Sequence, residues 1–236
     1  MSSGILVALV VAVGATCQVL SGVGFALVVS PLLMLAVGHT TGLHTTLILS
    51  CVLNLAVILR MPREVAPADA LRLLVPAALV IPPMIALSGQ LRGAPLNIVA
   101  GVAVLAATAA SAAGRTLPFF RHRLGPVLAG GISGALNVLT GASGPPVALY
   151  AMARRWPPAR TTATLQLFSL PLNLLTLVAV GLPSASQWAG MSWAAAGLVL
   201  GLAVSLPFVH LVPHGVVRWV TLGIATIGGI TLLATA

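Results

Sequence analysis

The sequence predicts an all-α polytopic membrane protein with two inverted repeats, each holding one broken or re-entrant helical stretch plus three spans. Three observations lead there. The 236 residues are 59% hydrophobic and carry 13 formal charges, 11 basic and 2 acidic, where a soluble chain of this length would carry roughly 59. Residues 1–59 and 161–217 contain no Asp, Glu, Lys or Arg, and apolar runs that long read as several membrane segments joined by uncharged turns. Nothing alternates polar and apolar over about ten residues, as strands of a transmembrane barrel do.

Breaks at charges, Pro/Gly clusters and polar groups divide the chain into apolar stretches of about 4–38, 43–59, 71–88, 95–114, 124–153, 161–181, 188–208 and 215–236. A continuous helix over 4–38 would measure about 52 Å against a hydrocarbon core of roughly 30 Å, so it must turn or break. Ser21-Gly22-Val23-Gly24 supplies the break, and Thr140-Gly141-Ala142-Ser143-Gly144-Pro145-Pro146 supplies it in the other long stretch. The first stretch has no basic segment ahead of it and runs past Gly38, so it is expected to belong to the mature fold and not to a cleaved leader. One transmembrane domain is expected over 1–236, with repeats at about 1–114 and 124–236.

The repeat rests on a shift of 119 residues. Val19-Leu20-Ser21-Gly22 falls on Val138-Leu139-Thr140-Gly141, Gln18 on Asn137, and Leu53-Asn54-Leu55 on Leu172-Asn173-Leu174. Internal duplication is a common transporter architecture. Arginine placement then sets the orientation. If every stretch crosses once, the two sides receive six and five arginines; if both broken stretches return to the side they entered, one side receives ten and the other only Arg92. The positive-inside rule selects the second arrangement, with inverted repeats, both termini outside and the arginine-rich loops in the cytoplasm of a cell (inner) membrane.

Half-helix N-termini at Val23-Gly24 and at Pro145-Pro146 aim amides and a positive dipole end inward, which suits an oxyanion. The expected substrate site is Ser21, Gly22, Gly24, Thr140, Gly141, Ser143, Gly144 and Pro145, with the mid-segment amides Asn54 and Asn173 orienting the ligand or bracing the breaks. Gln18, Asn137 and Gln166 are secondary candidates. Small residues also let helices pack closely, and amides also glue helices together, so both structural readings compete. His39, His44, His122, His210 and His214 fall at segment ends or in loops and read as interfacial. Trp156, Trp188, Trp193 and Trp219 read as interface anchors.

The absences narrow the function further. Both acidic residues, Glu64 and Asp69, lie in one loop, so a carboxylate-based pump is not expected. The chain has no lysine and therefore no phosphate-binding G-x-x-x-x-G-K-[ST] loop. Cys17 and Cys51 read as small packing residues, and no metal or cofactor is expected. The net charge of +9 comes from arginines scattered between apolar segments, which marks membrane topology and not nucleic-acid binding. The partners are a small anionic substrate and membrane lipid, with a homodimer left open. Catalytic residues are not expected.

At its two breaks the chain resembles the sulfite exporter TauE/SafE family of membrane permeases. The residues that carry this are Ser21-Gly22-Val23-Gly24-Phe25-Ala26-Leu27 with Ser30-Pro31-Leu32-Leu33, and Gly134 followed by Thr140-Gly141-Ala142-Ser143-Gly144-Pro145-Pro146-Val147-Ala148-Leu149-Tyr150. Many members carry a longer glycine run in the first motif, where this chain has Phe25. The resemblance implies export of sulfite, sulfonate or another organosulfur oxyanion. Two alternatives stand beside it. One is a permease for another small solute or organic anion, uptake included. The other is an intramembrane serine protease, since Gly141-Ala142-Ser143-Gly144 also fits G-x-S-G, with His210 or His214 as base, although Leu206-Pro207-Phe208-Val209-His210 lacks the A-H-x-x-G pattern of rhomboid proteases.

Overall fold

The computed structural model describes residues 2–22, 24–91, 93–114, 118–205, 207 and 214–235. Helices α1 (Ser2–Ser21), α2 (Phe25–Val37), α3 (His39–Arg60), α4 (Pro67–Gln90) and α5 (Ala94–Ala113) form the first half. A short 3-10 turn, Pro118–Arg121, leads to α6 (Gly125–Thr140), α7 (Gly144–Ala153), α8 (Pro158–Val180), α9 (Ala185–Ser205) and α10 (His214–Ala234). Among the described residues, seven helices are long and apolar enough to cross a membrane: α1, α3, α4, α5, α8, α9 and α10. The chain is therefore an all-helical, multi-pass membrane protein.

Both long apolar stretches break at a glycine in the left-handed region. Gly22 has φ +76° and Gly141 φ +70°, and their amides bond back to the carbonyls of Gln18 and Asn137. This is the glycine-terminated helix end that a side chain disfavours. Each stretch then folds back on itself. Gly14 of α1 lies against Val29 of α2, and Gly125 of α6 lies against Tyr150 of α7. With 20 and 13 residues, α1 and α2 measure about 30 and 20 Å, and with 16 and 10 residues α6 and α7 measure about 24 and 15 Å. Val23, between α1 and α2, lies outside the described residues, as do Arg92, Arg115 and His210.

Several helices start earlier than the charge breaks suggest. Pro67 and Pro158 open α4 and α8 in the first turn, where a missing N–H costs nothing. Asp69, Arg72 and Arg160 thus become helical and pair at one end of the bundle: Arg160 Nη2 lies 2.6 Å from Asp69 Oδ2, and Arg72 Nη1 lies 3.6 Å from Asp69 Oδ1. At the start of α10, Arg218 donates to the carbonyls of Ser111 and Ala112 at the end of α5. A cation there satisfies carbonyls that the helix itself leaves open.

Lipid is as apolar as leucine, so close packing has to hold such a bundle together. Gly130 and Gly134 of α6 sit on the backbone of Leu73 and Ala77 of α4, and Gly197 and Gly201 of α9 sit on Ala8 and Ala12 of α1. The register rises together in both pairs, so each pair runs parallel. By contrast, α5 and α10 run antiparallel: Gly101 faces Gly229 and Leu233, while Gly229 faces Leu105. So do α3 and α8, since Leu43 and Leu47 cluster with Leu177, while the Ala66 amide beyond the end of α3 donates to Thr164 near the start of α8. Among the apolar clusters that result, two are the largest. One joins Val7, Val11, Phe25, Val29, Leu49 and Ala194, from α1, α2, α3 and α9. The other joins Leu73, Ala129, Val147, Leu165, Phe168 and Leu172, from α4, α6, α7 and α8.

Candidate functional site

Each break leans on a long helix of the other half. Gly22 touches Thr162 and accepts a hydrogen bond from Gln166 Nε2 at 3.2 Å, both on α8. Gly141 touches Leu43, Thr46 and Leu47 on α3. A cavity of about 40 Å³ lies between the two breaks, with room for about three waters or one small oxyanion. Among the described residues no charged side chain lines it.

The cavity gathers Gly24, Asn54, Gly141, Ser143, Gly144, Pro145 and Asn173, together with Gln18 and Gln166. Ser21, Gly22, Thr140 and Asn137 do not line it. Their side chains serve the local fold: Ser21 Oγ donates to Cys17 O at 2.6 Å, Thr140 Oγ1 donates to Leu136 O at 2.8 Å, and Asn137 Nδ2 donates to Thr176 Oγ1 at 2.9 Å. Hydroxyls near a helix end readily bond back to the preceding turn in this way.

The first break is capped by a side chain. Gln18 Oε1 accepts the Phe25 N–H at 3.1 Å while Gln18 Nε2 donates to Gly22 O at 3.3 Å. The ladder of α2 begins with Val28 N–H on Gly24 O, so the amides of Ala26 and Leu27, two residues that line the cavity, precede it. The second break presents less backbone. Pro145 and Pro146 occupy the first turn of α7 and carry no N–H, and the Ala142 amide turns to Thr140 Oγ1 at 3.3 Å. Side chains stand in for the missing donors: Ser143 Oγ and Ser169 Oγ lie 3.1 Å apart, and whichever donates, the other keeps a proton for a ligand.

Asn54 and Asn173 are 4% and 1% exposed. Asn54 Nδ2 and Asn173 Oδ1 are buried and have no protein partner. An amide sealed from water without a bond costs about 1–3 kcal/mol.

Sequence reasoning missed Ser50 and Ser169, which also line the cavity. The signal was present: both lie four residues before the paired asparagines, and 50 and 169 differ by the same 119 as 54 and 173. It also missed Phe25, Ala26, Leu27, Leu53, Ala142 and Leu165. These supply shape, or backbone amides, which no residue type announces.

The histidines take several positions. His122 is exposed, but His44 is buried within α3 with neither ring nitrogen bonded. The side chain of His214 lies outside the described residues. Trp188, Trp193 and Trp219 are exposed and Trp156 is half-buried, edge-on to Tyr150 and beneath the Arg160 guanidinium. Among the described residues no group of three metal-ligating side chains exists, and the hydroxyl partner of Ser143 is Ser169, not a base.

A family model described as "Sulfite exporter TauE/SafE" matches residues 6–232. No curated protein and no solved structure matches the chain.

Proposed function

Since the chain belongs to the sulfite exporter TauE/SafE family of membrane permeases, we propose that it exports a small sulfur oxyanion, sulfite or a sulfonate, through the cavity between its two broken helices. The observation that carries this reading is the uncharged cavity lined by Asn54 and Asn173, whose side-chain amides make no hydrogen bond within the protein. Neutral polar groups around a small space hold an anion without gripping it as an arginine would, and a carrier must release what it binds. The Ala26 and Leu27 amides, the spare Ser143–Ser169 proton and Asn54 Nδ2 are the donors in this assignment.

An inverted duplication supports alternating access in this reading. Exchanging halves maps α1 on α9 onto α6 on α4, and maps one apolar core onto the other. The equivalent helices α3 and α8 run antiparallel, as do α5 and α10. Contacts at the breaks follow the same shift, since Thr162 and Gln166 stand 119 residues from Leu43 and Leu47. In this reading the Arg60–Arg72 and Arg154–Arg160 loops lie on the cytoplasmic side of the cell membrane and both termini outside, in keeping with the positive-inside rule.

Export then needs no coupling carboxylate. One negative charge gains about 2.3 kcal/mol leaving an interior at −100 mV, an accumulation of about fifty-fold. The test is efflux of labelled sulfite from proteoliposomes under an imposed potential, comparing native protein, Asn54→Ala/Asn173→Ala and empty vesicles. Potential-driven native efflux that is lost in the double variant is expected. Native flux equal to that of empty vesicles, with sulfonates and thiosulfate also silent, refutes the anion reading and favours another solute or uptake.

A further inference from the structure

The two breaks meet the cavity from opposite ends of the bundle. Because α3 and α8 run antiparallel, α8 starts at the arginine-rich end, next to Arg154, Arg155 and Arg160, and α3 starts at the other. The first break meets α8 at Thr162 and Gln166, about 6 and 12 Å from the start of that helix; the second meets α3 at Leu43 and Leu47, equally far from its start. On each helix the cavity side chains lie further in. Ser50 and Asn54 are about 17 and 23 Å along α3, and Ser169 and Asn173 are equally far along α8. Each break therefore stands between the cavity and one end of the bundle.

The two are held differently. Gln166, 1% exposed, reaches across from the other half and donates Nε2 to Gly22 O at 3.2 Å, whereas the Gln18 bond to the same oxygen stays within the first hairpin. At the second break the nearest atoms are carbons: Leu43 Cδ1, Thr46 Cγ2 and Leu47 Cδ2, with Thr46 Oγ1 buried and unbonded. Gln166 and Leu47 are 119 residues apart, so one place in the frame carries an amide at the first break and a methyl at the second.

Resting on the transport reading above, we propose that the two breaks are the gates of the carrier, and that Gln166 is the positioning residue that latches the gate at the arginine-rich end. Opening that gate parts Gln166 Nε2 from Gly22 O; opening the other parts apolar contacts. With the arginine-rich end cytoplasmic, the empty carrier rests shut towards the cytoplasm.

Sided thiol labelling tests this without a substrate. In a Cys17→Ala/Cys51→Ala chain, Ser50→Cys puts a thiol on the cavity wall, and Glu64→Cys, exposed in the arginine-rich loop, marks the faces of the proteoliposome. A membrane-impermeant methanethiosulfonate should modify Ser50→Cys more slowly from the arginine-rich face than from the opposite one. Adding Gln166→Leu should raise the rate from the arginine-rich face by about two- to tenfold, the worth of one hydrogen bond, and leave the other rate in place. Leu47→Gln, which sets an amide against Gly141, should slow reaction from the opposite face alone. Equal rates from the two faces with Gln166 in place overturn the proposal whether or not either variant folds, and so does a Gln166→Leu protein in which both rates change alike or neither changes. Labelled sulfite efflux from the same vesicles separates the two readings. Efflux with equal rates leaves export standing and removes the latch; sided rates without efflux keep the latch and remove the anion reading; no reaction from either face removes both.

Discussion

Substituting Gly134 by alanine asks whether helix approach at α4 and α6 holds the second hairpin in place. A Cβ at Gly134 would lie 2.9 Å from Ala77 Cα and within contact of the Ala77 carbonyl oxygen. Carbon–carbon contact needs about 3.6 Å, so the helices must part by about 0.7 Å. The obstacle is backbone, which cannot rotate away as a side-chain end does. Overpacking of this kind costs about 1–3 kcal/mol, which for a chain of this size lowers the apparent Tm by about 2–12 °C. Gly131, three residues earlier on the same helix, is the control, since the neighbour its Cβ would meet is Val80 Cγ2 at 3.8 Å. Gly131→Ala should gain helix propensity worth up to about 1 kcal/mol and raise Tm by about 2–4 °C. Thermal unfolding of both variants in detergent, followed by monodispersity and in the presence of lipid, reads the two shifts. A Gly134→Ala protein as stable as Gly131→Ala would refute the packing argument.

Three further outcomes follow from the breaks. Gly141→Ala should cost about 1–2 kcal/mol for the left-handed backbone alone, its Cβ meeting Thr46 Cγ2 at 3.3 Å, whereas Gly22→Ala should cost more because its Cβ meets Thr162 Oγ1 at 2.9 Å; equal Tm losses would remove the distinction. Gln18→Leu strands the Phe25 N–H and should cost about 1–3 kcal/mol, while Asn137→Leu, which does not cap its break, should leave α7 docked; limited proteolysis of the two hairpins checks which one loosens. Ser143 should resist fluorophosphonate labelling, because its hydroxyl faces Ser169; stoichiometric labelling would reinstate the protease alternative.

The architecture was legible because it follows from strong local signals. Charge scarcity marks the spans, the length of residues 4–38 demands a break, and the glycines at 22 and 141 can adopt the left-handed end that other residues resist. Ends of helices were less legible: α4 and α8 begin before their first charges because Asp69 and Arg160 satisfy each other across 91 residues, a pairing no local window contains. The paired asparagines were found by the 119-residue shift, and Ser50 with Ser169 could have been found the same way. Ser21 and Thr140 illustrate the opposite limit. Residue type made them ligand donors, yet a carbonyl one turn back takes both protons, a choice made by rotamers and not by sequence pattern.

The chemistry of the site follows from where the two halves differ. Gln166 stands where the first half has Leu47, and Ser143 stands where it has Gly24. The first break is therefore held by two amide hydrogen bonds onto Gly22 O, from Gln18 and Gln166, and the second by methyl contacts from Leu43, Thr46 and Leu47. A perfect two-fold would offer a ligand the same groups twice. This cavity instead has the first turn of α2 on one side, the Ser143 and Ser169 hydroxyls on the other, and the Gln166 amide that holds Gly22 O. An asymmetric set of polar groups across the two breaks holds an asymmetric ligand in one orientation, where a repeated set would hold it in two.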